Sequence, residues 1–240
     1  MRNNQFPTTR FTLVVHAREQ ITPESQSALE KLCEEYWYPL YAFVRRKGYG
    51  PDEAQDLTQG FFTRMLERHY LRDYQRERGR FRTFLLTSVQ HFLSNERDWA
   101  RAEKRGGGRT PLGLDEVFQT GERRYSLEPR SDLTPEKIFE KHWASTLLDR
   151  TLLRLQAAAM EAGNGNQFIR LKGYLTGEES EIPYSQLAET LGTTEGALKV
   201  AIHRLRRRFR EVLYEEISHT VSHPDQIRDE IRFLTSVVSQ

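Results

Sequence analysis

One cysteine, Cys33, stands in a chain of 240 residues. A lone thiol excludes an internal disulfide framework, suits a reducing compartment and cannot build the usual zinc sites. The seven histidines are scattered, and His219 and His223, four apart, have no further ligand types grouped with them. No metal and no cofactor is implied. Long apolar runs are also missing. FTLVV at 11–15, between Arg10 and His16, is too short for a signal peptide, and no stretch approaches a membrane span. The expectation is a cytoplasmic protein with no membrane partner. The three glycines at 106–108 lack the lysine and flanking strand of a phosphate-binding loop, and no nucleophile–base grouping shows, so no catalytic residue is assigned. Strand signals are nearly absent.

What is present is charge, patterned on helices. Apolar residues make up 37% and charged residues 29%, which suits a soluble protein with small cores, yet the net charge is only +2. A local cationic stretch therefore reflects a defined face and not a general polycation. Such a stretch is PYSQLAETLGTTEGALKVAIHRLRRRFREVL at 183–213. It predicts a helix over 184–191 with Leu187, Ala188 and Leu191 inward. Gly192 allows the chain to leave that helix, and Thr193 or Thr194 caps the next. In the second helix Leu198, Ile202, Leu205, Phe209 and Val212 form one apolar stripe. Lys199, His203, Arg204, Arg206, Arg207, Arg208 and Arg210 lie off it. A helix with a free N-terminal face and later turns rich in arginine fits the major groove, with early side chains at bases and later ones at phosphates. A solvated amphipathic helix is the plain alternative, but the arginines are hardly relieved by acids and follow a correctly spaced turn.

The rest of the chain reads as more helix. Thr22-Pro23-Glu24 is a start signal for a helix to about Lys47 that buries Ala28, Leu32, Tyr36, Leu40 and Val44, with Pro39 inside it. Pro51 opens a second helix, with Leu57, Phe61 and Met65 in register. The polar segment 72–80 is expected to be a loop. A third helix from Phe81 to about Lys104 buries Phe84, Leu85, Ser88, Val89 and Phe92. From 106 to 134 no period is sustained, which predicts a flexible linker with at most a short turn at 114–118. Thr134-Pro135-Glu136 repeats the start signal, and 217–240 is expected to hold one more helix with Ile227, Ile231 and Leu234 in register. The fold class is all-α. Two helical domains, 22–105 and 135–216, are joined by the linker 106–134, with an N-terminal extension 1–21, a C-terminal helical extension 217–240 and a helix-turn-helix in the second domain.

Two helical lobes, the second ending in a basic helix-turn-helix, resemble bacterial sigma factors of the extracytoplasmic-function type. DEAQDLTQGFF (52–62) looks like the family's acidic helix that docks on RNA polymerase. RGRFRTFLLTSVQHFLSNERDWARAEKR (78–105) is similar to the segment that opens the downstream promoter element. GALKVAIHRLRRRF (196–209) matches the segment that reads the upstream element. The resemblance spans roughly 25–105 and 135–216. It implies a non-catalytic factor whose partners are core RNA polymerase and promoter DNA, with an anti-sigma factor or a Ser/Thr kinase as regulatory partners.

On that resemblance Asp56, Gln59 and Phe62 are the polymerase-docking residues. Thr194, Glu195, Lys199, His203, Arg206, Arg207 and Arg210 face the upstream element. Arg78, Arg80, Arg82, Asn95, Arg97, Trp99 and Arg101 supply the cationic and aromatic track for the melted downstream element. Two departures stand out. Phe84 replaces the family's usual tryptophan, and Gln55 stands where a glutamate is common. A phosphate on Thr58 would make good the missing charge, adding about −1.5 to −2 charges beside the docking residues. Two other readings remain. One is a stand-alone helix-turn-helix regulator that binds duplex DNA without polymerase. The other is a nucleic-acid-processing enzyme, which would turn over without polymerase.

Overall fold

The computed structural model describes residues 23–67, 80–102, 115–128, 132–176, 183–221 and 223–239. Its side chains are described over 31–65, 80–96, 120–128, 132–175, 183–221 and 223–239. Among the described residues every regular element is a helix: α1 (Pro23–Arg46), α2 (Pro51–Glu67), α3 (Phe81–Ala102), α4 (Asp115–Leu127), α5 (Pro135–Glu161), α6 (Gly165–Leu171), α7 (Gly173–Thr176), α8 (Tyr184–Thr190), α9 (Glu195–Ser218) and α10 (Gln226–Val238). No described helix is long and apolar enough to cross a membrane.

The proline start signals behave as their chemistry requires. At α5 the Thr134 hydroxyl accepts from the Lys137 N–H at 3.4 Å and its carbonyl accepts from Ile138 at 3.0 Å, with Pro135 as the first helical residue.

Contacts divide the chain into two units, Met1–Ser145 with Ser218–Gln240, and Thr146–Ile217. The first unit has an aromatic core. Tyr36, Trp37, Leu40, Tyr41, Phe43 and Val44 of α1 are buried, as are Phe61, Phe62 and Met65 of α2 and Phe81, Leu85, Val89 and Phe92 of α3. Tyr36 meets Phe81 edge-on at 5.5 Å, and Phe61 meets Phe92 at 5.8 Å. Phe84, expected in this core, is half-buried and stacks on Phe81. Leu57 is half-buried as well.

The linker expected over 106–134 is corrected by α4, a 13-residue helix within it. Among its described side chains, polar contacts tie that helix and the residue after it to α1. Glu122 accepts from the Tyr41 hydroxyl and from Arg45 at 3.1 and 3.2 Å. Glu128, just beyond the helix, accepts from Tyr38 at 2.6 Å. Close approach is allowed by Gly121, where an added Cβ would fall 2.3 Å from the Trp37 ring. The C-terminal helix α10 also belongs to this first unit, through buried Ile227, Glu230 and Leu234.

The second unit joins the later part of α5 to α6, α7, α8 and α9. Leu171, Leu187, Ala188, Leu198 and Ile202 form one cluster, and Leu155, Phe168 and Val212 another. Glu216 of α9 is buried between Arg150 at 3.2 Å and Arg154 at 2.6 Å.

Gly121→Ala is expected to lower stability by about 1–3 kcal/mol, because the Trp37 ring must move for the methyl to fit. Thermal unfolding followed by circular dichroism measures this, with a change in the near-ultraviolet signal of Trp37.

Acid is expected to release α4. Burial works against ionisation of Glu122, but hydrogen bonds from Tyr41, Arg45 and Ser126 more than offset it and hold the carboxyl below its ordinary range. Glu128 is lowered likewise, burial being outweighed by His142 and Tyr38. Their folded values lie below the unfolded ones, so the stabilisation is full above about pH 4.5 and is lost as pH falls through the lowered values. A near-ultraviolet acid titration should show a transition that shrinks in the Glu122→Gln/Glu128→Gln double variant.

Candidate nucleic-acid interface

The turn between α8 and α9 is built from backbone hydrogen bonds that its glycine makes available. Gly192 adopts φ +62°. Its N–H donates to Glu189 at 3.1 Å, and the Thr193 N–H donates to Ala188 at 2.9 Å. This pair of bonds is a Schellman motif, which satisfies the last carbonyls of α8 and turns the chain sharply. Thr194, not Thr193, is the cap of α9. Its hydroxyl accepts from the Ala197 N–H at 3.2 Å and its carbonyl from Leu198 at 2.9 Å.

The stripe that packs α9 also decides what it exposes. Leu198 and Ile202 are buried against Leu187, Ala188 and Leu171, with Leu205 partly buried beside them. At about 100° per residue, Glu195, Lys199, His203, Arg206 and Arg210 then fall on one straight exposed row. Arg207 lies beside that row. Between Lys199 and Arg210 the sequence contains no acid. The row runs roughly 16 Å from Lys199 to Arg210, at about 1.5 Å per residue.

Each member of the row has a defined state. Lys199 donates to Glu195 at 2.7 Å and lies 5.8 Å from the Tyr184 ring centroid. That hydrogen bond and the charge of Glu195 hold its pKa above the ordinary lysine value. Both side chains are about half exposed to solvent, so the pair is exchangeable for another anion. Arg206 donates to the Tyr174 carbonyl at 3.2 Å, which props its side chain across α7. Arg207 meets Glu211 at 3.6 Å, and His203 and Arg210 are exposed. Of the seven residues expected from the sequence to face the upstream element, six thus lie on or beside one exposed row of α9, and Thr194 caps that helix.

The polymerase-docking set is divided. Asp56 is exposed and Gln59 half-buried. Phe62 corrects the expectation, because it is fully buried. The most deeply buried residues of α2 are Ala54, Thr58, Phe61, Phe62 and Met65, a stripe about 100° wide and not a single row through Leu57. Phe62 lies on its edge and meets Phe61 at 5.7 Å. Thr58 is corrected for the same reason. It is fully buried, and its hydroxyl donates to the Ala54 carbonyl at 2.7 Å, so a kinase cannot reach it in the folded helix.

In the downstream-element set Asn95 is exposed. Arg80 and Arg82 are instead engaged with Glu230 of α10, at 2.8 Å each. Arg82 is buried, which corrects its expected exposure. Its carboxylate partner is 148 residues away in sequence, and no local pattern signals the pairing. Arg78 lies outside the described residues, as do the side chains of Arg97, Trp99 and Arg101.

Comparison of the chain with protein-family models, with curated proteins and with solved structures gives no match. The geometry above is therefore what bears on function.

Phe62→Ala is expected to cost about 3–5 kcal/mol of stability, as for large aromatic truncations in cores. Asp56→Ala, at an exposed position, should change stability by less than about 0.5 kcal/mol. Urea unfolding of the two variants measures the contrast, and a small cost for Phe62→Ala would return that ring to the list of surface residues.

Proposed function

We propose that this chain is a sigma factor of the extracytoplasmic-function type, which binds core RNA polymerase and recognises promoter DNA through α9. The observation that carries the reading is the acid-free row from Lys199 to Arg210, held outward by a capped helix after a Schellman turn. On this reading α8 and α9 are a helix-turn-helix and α9 is its recognition helix. The major groove, about 12 Å wide, admits such a helix. Lys199 and His203, nearer its start, meet base edges, while Arg206, Arg207 and Arg210 meet phosphates. Asp56 and Gln59 of α2 remain the residues offered to polymerase.

A second reading, a regulator that binds duplex DNA without polymerase, is favoured by one observation. The burial of Phe62 and Thr58 reduces the face α2 can offer to a partner. Run-off transcription with core polymerase over a promoter library separates the two. Specific transcripts that appear only with this chain support the sigma reading. DNA binding of equal strength and selectivity with and without polymerase, and no transcripts, supports the other.

Within α9 the roles are separable. Lys199→Ala should change the preference between promoter sequences by about tenfold, the size expected of one base contact. Arg207→Ala should weaken all sequences alike and lower the salt slope by about 1. Binding titrations over a scrambled-promoter panel at several salt concentrations measure both, and equal uniform losses would remove the division of roles.

A further inference from the structure

Two arginines at the start of α3 converge on a single carboxylate of α10. Arg82 donates twice to Glu230, at 2.8 and 3.2 Å, and Arg80 donates to it at 2.8 Å. The Arg82 guanidinium lies 3.8 Å from the Phe233 ring centroid and 5.1 Å from that of Trp143. The Glu230 side chain is 1% exposed. Glu140, half-buried on α5, also lies close enough for its ionisation to feel Arg82.

A plain anchor would not require this chemistry. A buried ion pair is often no more stabilising than apolar side chains of the same volume, and α10 already buries Ile227 and Leu234. Two guanidinium groups forked around one anion, with an aromatic ring alongside, are instead the means by which proteins hold phosphate and stack bases. Three of the five groups that build the site come from outside the terminal helix: Arg82 of α3, Arg80 just before it and Trp143 of α5. Glu230 and Phe233 come from the terminal helix.

We propose that Arg80, Arg82 and Trp143 form a binding site for the phosphodiester backbone of single-stranded DNA, and that Glu230 of α10 occupies it in the closed chain. The C-terminal helix thus competes with nucleic acid for the arginines. The inference rests on the sigma reading to the extent that the melted downstream element is the strand that would reach α3.

The test is fluorescence anisotropy of a fluorescein-labelled single-stranded DNA oligonucleotide of mixed sequence with the full chain at low salt. Glu230→Gln should bind about tenfold tighter than the unmodified chain. Adding Arg82→Gln should abolish that gain, which excludes an effect routed through α9. A folded Glu230→Gln chain that binds no tighter overturns the proposal, as does a gain that survives Arg82→Gln. Because a buried Arg82 without its carboxylate can unfold the unit, hydrogen exchange of the unmodified chain supplies a second readout. Saturating oligonucleotide should speed exchange across 226–238, and unchanged protection of α10 in the bound chain overturns the proposal. Failure of the sigma reading looks different. It leaves both chains without polymerase-dependent transcripts while the oligonucleotide affinity and the exchange of α10 still respond.

Discussion

The rotation of α9 about its own axis is the constraint on which the candidate interface depends. Leu198 and Ile202 enter the cluster made by Leu171, Leu187 and Ala188, and each such burial is worth about 1.5–3 kcal/mol. A helix with two or three residues so committed cannot turn without exposing them. The row Lys199, His203, Arg206 and Arg210 therefore faces solvent as a consequence of packing on the opposite side. The Schellman bonds at Gly192 and the Thr194 cap set where the row begins. Further along, Glu216 between Arg150 and Arg154 ties the acidic end of α9 to α5. One helix thus carries an anchored end and a presented end, and the net charge of +2 conceals the separation.

Much of this was legible in the sequence because it is local. The periodic stripe of α9, the proline start signals and the glycine turn are all properties of ten or fewer neighbouring residues, and their physics is settled within that span. Legibility failed where a residue's state is set by a distant partner. The helix α4 has Gly121 in its middle and follows a glycine-rich stretch, so by propensity it reads as a linker. It is held by Tyr38, Tyr41 and Arg45 of α1, and its glycine is required by the Trp37 ring beneath it.

The candidate site divides along the same line. The exposed row of α9 was legible since one helix carries it. Phe62 and Thr58 were misplaced because a row of four-residue steps, Leu57, Phe61 and Met65, drifts around the helix by about 40° at each step. A stripe that also takes in three-residue steps keeps Ala54, Thr58, Phe61, Phe62 and Met65 together, and that stripe is the buried one. The pairing of Arg82 with Glu230 has no local signature at all. A buried arginine in a basic segment reads as an exposed one until its partner is known.

The two buried glutamates differ in what their removal would entail. Glu216 sits within the continuous helix α9, flanked by buried Val212, Leu213 and Ile217, so its carboxylate cannot leave Arg150 and Arg154 without dismantling a core. Glu230 sits on α10, a 13-residue helix that begins eight residues after α9 ends. Besides Glu230, only Ile227 and Leu234 of α10 are fully buried, which amounts to roughly 3–6 kcal/mol at about 1.5–3 kcal/mol each, with a smaller part from half-buried Ile231, Phe233 and Val237. That is within the range that a few phosphate and stacking contacts supply, since base–aromatic stacking alone contributes about 1–3 kcal/mol per base. Undocking of α10 would return Arg80 and Arg82 to the surface at the head of α3, where the positive end of the helix dipole adds to their attraction for an anion. The same ion-pair chemistry therefore serves as a fixed anchor in one helix and as an exchangeable contact in the other, and the difference lies in how much core each helix must give up to break it.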